Sequence, residues 1–289
     1  MRKILVTGGA GFIGSNLCKS LSNNSNNIIY SLDNYSTGKV ENHVSNVKYI
    51  EGETKNITKL CNFSPDLIFH LGEYSRVEQS FDDIRNVWNS NKSGTFEVLE
   101  FARKRKAKII YAGSSTKFGD LGQSKDQTPY GWTKSTNTEL VARYGDWFNL
   151  SYAIVYFYNA YGPNEISIGK YATLIGIFSE QMRNEIPLTV VSPGTQIRNF
   201  THVNDIVSGI ELVAEKGNGD GYGIGSSLSY SVNEVAKFFG GDINYLPPRR
   251  GNRQSAKLIT DKTIALGWNE RYELENYISK LKENNWNKV

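Results

Sequence analysis

Thr7-Gly8-Gly9-Ala10-Gly11-Phe12-Ile13-Gly14 is the stretch on which the reading of the whole chain turns. Before it, Lys3-Ile4-Leu5-Val6 is a short apolar, β-branched run with the character of a buried strand. After it, Ser15-Asn16-Leu17-Cys18-Lys19-Ser20-Leu21 has helical spacing. The glycines therefore sit at a strand-to-helix turn. A chain without Cβ atoms can turn tightly there, admit a pyrophosphate to its backbone, and present it to the unpaired N–H groups at the positive end of the new helix. A second strand, Asn27-Ile28-Ile29-Tyr30-Ser31-Leu32, ends in Asp33, about where an adenosine ribose would offer its two hydroxyls. No arginine stands beside Asp33, so an acid here favours NAD over NADP, whose 2′-phosphate would face a negative charge. Glycine turns alone are common. Strand, glycines, helix, second strand and terminal acid in one unit make a bound dinucleotide the expectation.

At 289 residues the chain has room for one large domain or two modest ones. With 39% hydrophobic and 21% charged residues it is an ordinary globular composition, so disorder is not expected. The net charge of +4 is small and unclustered. Its densest run, Arg103-Lys104-Arg105-Lys106, ends a predicted helix, where cations favour the helix dipole, so no nucleic-acid partner is expected. Cys18 and Cys61 offer neither a disulfide framework nor metal spacing, and a cytoplasmic location is the expectation. His43, His70 and His202 fall in unrelated contexts and suggest no metal. No apolar run approaches a membrane span, and a strand entered at residue 3 leaves no room for a signal peptide; no membrane contact is expected.

Beyond Asp33 the pattern alternates. A loop at 34–39 precedes strands at 47–50 and 67–71, with a helix near 56–62 between them. A long helix is predicted from about 83 to 104, then a strand at 108–112, a helix from 130 to about 148, and a strand at 153–157. Nearly all-apolar strands alternating with helices argue a parallel sheet covered on both faces. From Asn159 onward, Gly162-Pro163, Gly169, Pro187 and Pro193-Gly194 break the alternation. The fold expected is α/β: a Rossmann-type doubly wound parallel sheet over 1–160, with 196–215 returning to it, and a smaller C-terminal α/β substrate lobe over 161–289.

Sheets of this kind bind ligands beyond the carboxyl ends of their strands. The strand at 108–112 runs there into Gly113-Ser114-Ser115-Thr116, and sixteen residues after Ser114 comes Tyr130-Gly131-Trp132-Thr133-Lys134 at a helix start. Residues four apart share a helix face, which places a phenol and an ammonium one turn apart. A free tyrosine needs its pKa lowered by about 3 units, or roughly 4 kcal/mol, to act as a base near neutrality. One positive charge about 4 Å away supplies on the order of 4 kcal/mol at an effective dielectric near 20. Tyr130 could then take a proton from a substrate hydroxyl held by Ser114. The spacing alone proves little, since Tyr35 and Lys39 show it in a loop.

With these residues in place, the chain resembles an extended short-chain dehydrogenase/reductase of the NAD-dependent nucleotide-sugar epimerase/dehydratase family over nearly its whole length. The resemblance implies an enzyme that uses NAD on a nucleotide-diphosphate sugar and pairs as a homodimer through the helices at about 83–104 and 130–148. It implies Ser114, Tyr130 and Lys134 as the catalytic set. It places the cofactor against Gly8, Gly11, Phe12, Ile13, Gly14, Asp33, Asn34, Leu71, Tyr130 and Lys134. Asn159 in Phe157-Tyr158-Asn159-Ala160-Tyr161-Gly162-Pro163, Arg198 in Ile197-Arg198-Asn199-Phe200-Thr201-His202-Val203, and Arg249 before Arg250-Gly251-Asn252 resemble the sugar-diphosphate contacts. Two guanidiniums on a diphosphate make charge-assisted forked bonds. Thr116 and Glu73 complete the candidate substrate contacts.

Three departures carry information. The stretch between Ser114 and Tyr130 is shorter than is usual in the family, which predicts a more open sugar pocket. Glu73, in His70-Leu71-Gly72-Glu73-Tyr74, stands where the family more often has a small or neutral residue. A solvated side chain is the preferred reading of it, with a substrate contact or an extra acid/base as alternatives. Ser115 and Thr116 occupy the positions at which 4,6-dehydratases of the family carry Asp and Glu, which disfavours dehydration, and the missing Glu also weighs against decarboxylation. What remains is oxidoreduction at a sugar carbon, most simply C4. That reaction is a 4-epimerisation through a 4-keto sugar, a net 4-dehydrogenation or a 4-keto reduction; a non-catalytic NAD-sensing protein is the alternative from another class.

Overall fold

The computed structural model describes residues 1–249 and 253–287. Its centre follows from the period-two pattern of the apolar strands. In β1 (Arg2–Thr7), Ile4 and Val6 enter one core and Leu5 the other, and in β4 (Leu67–His70) Leu67 and Phe69 face one side and Ile68 the opposite one. With β2 (Asn27–Asp33), β3 (Val47–Glu51), β5 (Lys108–Ser114) and β6 (Tyr152–Phe157) they form a parallel sheet.

Six short strands follow among the described residues, β7 (Ala160–Tyr161), β8 (Leu188–Val191), β9 (Ile197–Arg198), β10 (Thr201–His202) and, after a seventh long one, β12 (Tyr230–Ser231) and β13 (Ile243–Leu246), which pairs with β8. The long one, β11 (Gly219–Ile224), pairs with β6 and completes a seven-stranded sheet of order β11-β6-β5-β4-β1-β2-β3. The return to the sheet thus runs past residue 215 to Ile224, which corrects the expected assignment of 216–289 to the lobe. Gly219, Gly221 and Gly223 hid this strand, because they carry none of the β-branched signal. Gly223 is required: a Cβ there would lie 2.4 Å from the Ile259 carbonyl oxygen.

Helices α1 (Phe12–Ser22) and α7 (Val203–Lys216) cover one face of the sheet; α2 (Ile57–Leu60), α4 (Gly94–Arg105) and α5 (Pro129–Phe148) cover the other. The predicted 83–104 helix is a composite. α3 (Ile84–Val87) passes through a wide turn at Trp88–Ser93 into α4, and that π segment drives Asn91 into the core. A separate core of Tyr161, Phe178, Leu188, Phe200, Phe239 and Tyr277 holds the second lobe, built on α6 (Leu174–Arg183), α8 (Val232–Phe239) and α10 (Leu274–Glu283); α9 (Asp261–Ala265) packs on β11. The strand order reverses between β1 and its neighbours β2 and β4, and there the two lobes leave a cleft of about 1120 Å³.

Candidate active site

The glycine turn closes against the end of β4. Gly8 has φ +76°, and a Cβ on it would lie 2.9 Å from Gly72 Cα; one on Gly14 would lie 2.0 Å from the Gly8 carbonyl oxygen. Gly11 caps α1 without a side chain, so the first N–H groups of the helix stay open to the cleft, which Gly8, Gly11, Phe12, Ile13 and Gly14 line. Asp33 ends β2 nearby, accepting from Ala10 N–H and Tyr35 N–H, each at 2.9 Å. Burial pushes its carboxyl above the ordinary range, against the pull of those N–H groups. Asn34 and Leu71 line the same end. An uncapped helix end over a glycine turn that Cβ atoms would block, with a carboxylate at the second strand's end, fits the pyrophosphate and ribose of a dinucleotide.

At the other end, β5 delivers Ser114 and α5 delivers Tyr130. Thr128 caps α5, accepting from Gly131 N–H at 2.9 Å, and Pro129 occupies its first turn. Tyr130 OH donates to Ser114 Oγ at 3.0 Å, and Thr116 Oγ1 donates to the same oxygen at 2.8 Å. With two hydroxyls donating to it, Ser114 has its own proton left to donate. Lys134, one turn along, donates to the Ala112 carbonyl.

Lys134 also donates to Glu73, and here the expectation is overturned. Glu73 is not solvated: its side chain is 2% exposed and that of Lys134 6%. Its Oε1 accepts from Thr95 at 2.6 Å, Asn137 at 2.9 Å and Tyr111 at 3.2 Å. Burial, the largest single influence, works to raise the carboxyl, but its partners together, the ammonium of Lys134 first among them, hold Glu73 below its ordinary value. Behind Thr95 the bonds continue: His70 Nε2 meets Thr95 Oγ1 at 2.9 Å, and His70 Nδ1 meets Thr7 Oγ1 at 2.8 Å. Thr7 Oγ1 accepts from Gly72 N–H at 2.9 Å. Because Thr95 spends its hydrogen on the carboxylate, it must accept from His70 Nε2–H, leaving Nδ1 to accept from Thr7. Burial pushes His70 down to about 4, so the ring is neutral in this chain of bonds.

The substrate candidates divide. Asn159, at φ +29°, holds the backbone of Asn199 with its amide and lines the cleft. Arg198 lines it too, donating to the carbonyls of Ile197, Arg253 and Gln254; burial, then the charge of Arg253, push it down to about 10. Arg249 reaches the rim, paired with Glu78 at 3.3 Å with both side chains close to half exposed. Arg250, Gly251 and Asn252 lie outside the described residues. Two guanidiniums were missed by sequence reasoning. Arg253 donates to Ser115 Oγ at 3.0 Å, and Arg76 donates to the Tyr171 carbonyl; both are part-buried and close enough to Tyr130 to interact with it electrostatically. Arg253 arrives because the short stretch after Ser114 is not left open: the Gly119–Ala256 bridge and the bond from Lys257 N–H to the Phe118 carbonyl at 3.1 Å lay residues 253–257 along it. The short loop is thus covered by the C-terminal segment, a departure from the more open rim expected. Among the described residues no cluster could hold a metal, and no helix is long and apolar enough to cross a membrane.

Residues 4–225 match the model of the family described as NAD dependent epimerase/dehydratase. The chain belongs to that family. Members are enzymes, and NAD is the cofactor that the glycine turn and Asp33 fit. The family chain is 30% identical to a putative UDP-glucose 4-epimerase of Methanocaldococcus jannaschii, covering 99% of its own length and 98% of the relative's. It is also 30% identical to a UDP-N-acetyl-alpha-D-glucosaminuronate decarboxylase of Bacillus cytotoxicus, covering 98% and 91%. Among solved structures it superposes on the UDP-glucose 4-epimerase of Thermotoga maritima, determined with UDP-glucose, with a TM-score of 0.88 at 26% identity over 98% of this chain and 99% of that one.

Proposed function

We propose that this chain interconverts a nucleotide-diphosphate sugar and its C4 epimer through a transient 4-keto sugar. Bound NAD supplies a hydride acceptor that later returns the hydride. Tyr130, as phenolate, takes the proton from the sugar hydroxyl, and Ser114 holds that oxygen with the hydrogen its neighbours leave free. The 4-keto sugar turns over in the cleft, and Tyr130 returns the proton as the other face is reduced. Arg198, Arg249 and Asn159 hold the diphosphate, and the cleft, larger than the ~300–1,000 Å³ usual for one ligand, suits two.

The observation that carries this reading is the set of groups facing the Tyr130–Ser114 pair. Ser115 and Thr116 are hydroxyls already engaged with Arg253 and Ser114. Glu73, though at the cleft, has its side chain 2% exposed and its carboxylate tied to Lys134, Thr95, Tyr111 and Asn137, which argues against its serving as a dehydratase's free acid or base. Elimination of water needs a positioned acid and base, each typically worth ~10² to 10⁴ in rate. Incubation with GDP-, UDP-, dTDP- and CDP-sugars is expected to give a product of unchanged mass that separates as an epimer, and none with Tyr130→Phe. A product lighter by one water or by carbon dioxide would overturn the reading; lasting accumulation of NADH would instead mean net 4-dehydrogenation. The working assembly proposed is a homodimer, since Trp88, Phe96, Trp132, Trp147 and Phe148 are exposed on the π segment, α4 and α5.

A further inference from the structure

No step of that epimerisation uses Glu73, yet the chain buries it and meets it with Lys134, Thr95, Tyr111 and Asn137. A carboxylate enclosed this way is costly unless it does something for its partner. Lys134 is consequently not a bare cation. Of its three N–H donors one goes to Glu73 and one to the Ala112 carbonyl, leaving one for the cleft.

We propose that Glu73 is a positioning residue that fixes the Lys134 ammonium and cancels its field at Tyr130, so that the phenol loses its proton when oxidised cofactor arrives and not before. This rests on the reading of Tyr130 as the base. An ammonium and a carboxylate in contact act as a dipole, whose field at a third group falls off faster than that of a single charge. Glu73 is faced by Lys134 from α5, by His70 from β4, by Tyr111 from β5 and by Lys92 from the π segment. His70 is neutral, burial raises Tyr111, and Lys92 keeps its charge but donates to Thr136 and Asn137, not to the carboxylate. Tyr130 shares a face of α5 with Lys134, one turn on, and lies in the field of Arg76, Arg253 and Tyr111. The two guanidiniums give it a standing positive field. The single positive charge by which NAD⁺ differs from NADH is then the quantity that changes during turnover. In the step, the phenol O–H bond breaks, the electron pair stays on oxygen, and the proton passes through the cleft to solvent.

Calorimetric titration of the nucleotide-free full chain with NAD⁺ and with NADH, in buffers of different ionisation heat between pH 6 and 9.5, counts the protons released on binding. NAD⁺ is expected to release protons and NADH far fewer, and Tyr130→Phe to abolish the difference. Glu73→Gln should move the midpoint of release down by about one pH unit, a tenfold gain in phenol acidity; Glu73→Asp, which keeps the charge, should stay near the parent. Release that vanishes in Tyr130→Phe but is unmoved in Glu73→Gln would overturn the role of Glu73 alone. Release that survives in Tyr130→Phe would overturn Tyr130 as the base, and the inference with it. If Glu73→Gln does not fold, Glu73→Ala carries the same expectation, since the family more often has a small residue here. Failure of both to fold would make Glu73 a core support and end the proposal.

Discussion

Asp33 shows how one residue joins fold to selectivity. Its carboxylate is held by the N–H groups of Ala10 and Tyr35, so it stands in a fixed pose at the end of β2, where we propose the ribose of the cofactor is met. Asp33→Asn, which keeps the shape and removes the charge, should lower the preference for NAD over NADP at least tenfold, about 1.4 kcal/mol. Calorimetric affinities for both cofactors check it; an unaltered ratio would contradict the role. Residues whose chemistry is local were legible in the sequence: the glycines announce their turn, and Tyr130 announces its helix start. Glu73 was not, because burial of a charge depends on a partner 61 positions away. A reader could have asked where a carboxylate beside an apolar strand end finds a cation, and Lys134 was the cation already singled out. Arg253 was illegible for a related reason, since it reaches Ser115 across 138 positions of chain.

At the scale of elements, the strands with period-two apolar runs and the helix from Tyr130 were readable, while β11 and the wide turn before α4 were not. Glycine-rich β11 is specified by what packs on it, and a π segment leaves no spacing signature. That wide turn places Asn91 so that its amide donates to the Tyr74 carbonyl at 3.2 Å and its oxygen accepts from Tyr74 N–H at 2.7 Å, pinning the loop that carries Glu73. The ends of β4 and β10 carry buried histidines. Burial pushes His70 to about 4; burial, then the charge of Lys280, does the same for His202. In the unfolded chain both titrate near 6.5. As pH falls from about 6.5 to about 4 the unfolded state binds these protons first, so stability present above 6.5 is lost through that window, by about 3 kcal/mol per histidine. Urea midpoints from pH 7.5 to 4.5 should fall accordingly, and less steeply in His70→Gln. Equal slopes would show that His70 is not the group responsible.

For the whole molecule, the aromatic residues on the outer faces of α4, α5 and the π segment make a prediction about assembly. Trp88 and Trp132 stack with ring centroids 5.9 Å apart while both stay exposed. Sedimentation at micromolar concentration should show a dimer, and Trp132→Asp should dissociate it by setting a charge in an apolar contact. A parent protein that sediments as a monomer would end the idea. The two-lobed plan was legible from the change of texture after Asn159; the continuation of the returning chain beyond residue 215 into β11 was not, because that strand is specified by what packs on it.

The row of bonds from Gly72 through Thr7, His70 and Thr95 to Glu73 has one polarity throughout, each hydrogen pointing toward the carboxylate. To conduct a proton, such a row must turn over every link, and its imidazole must pass through a cation that burial resists. It therefore works as an insulator. A proton on the carboxylate finds no relay along this row away from the cleft.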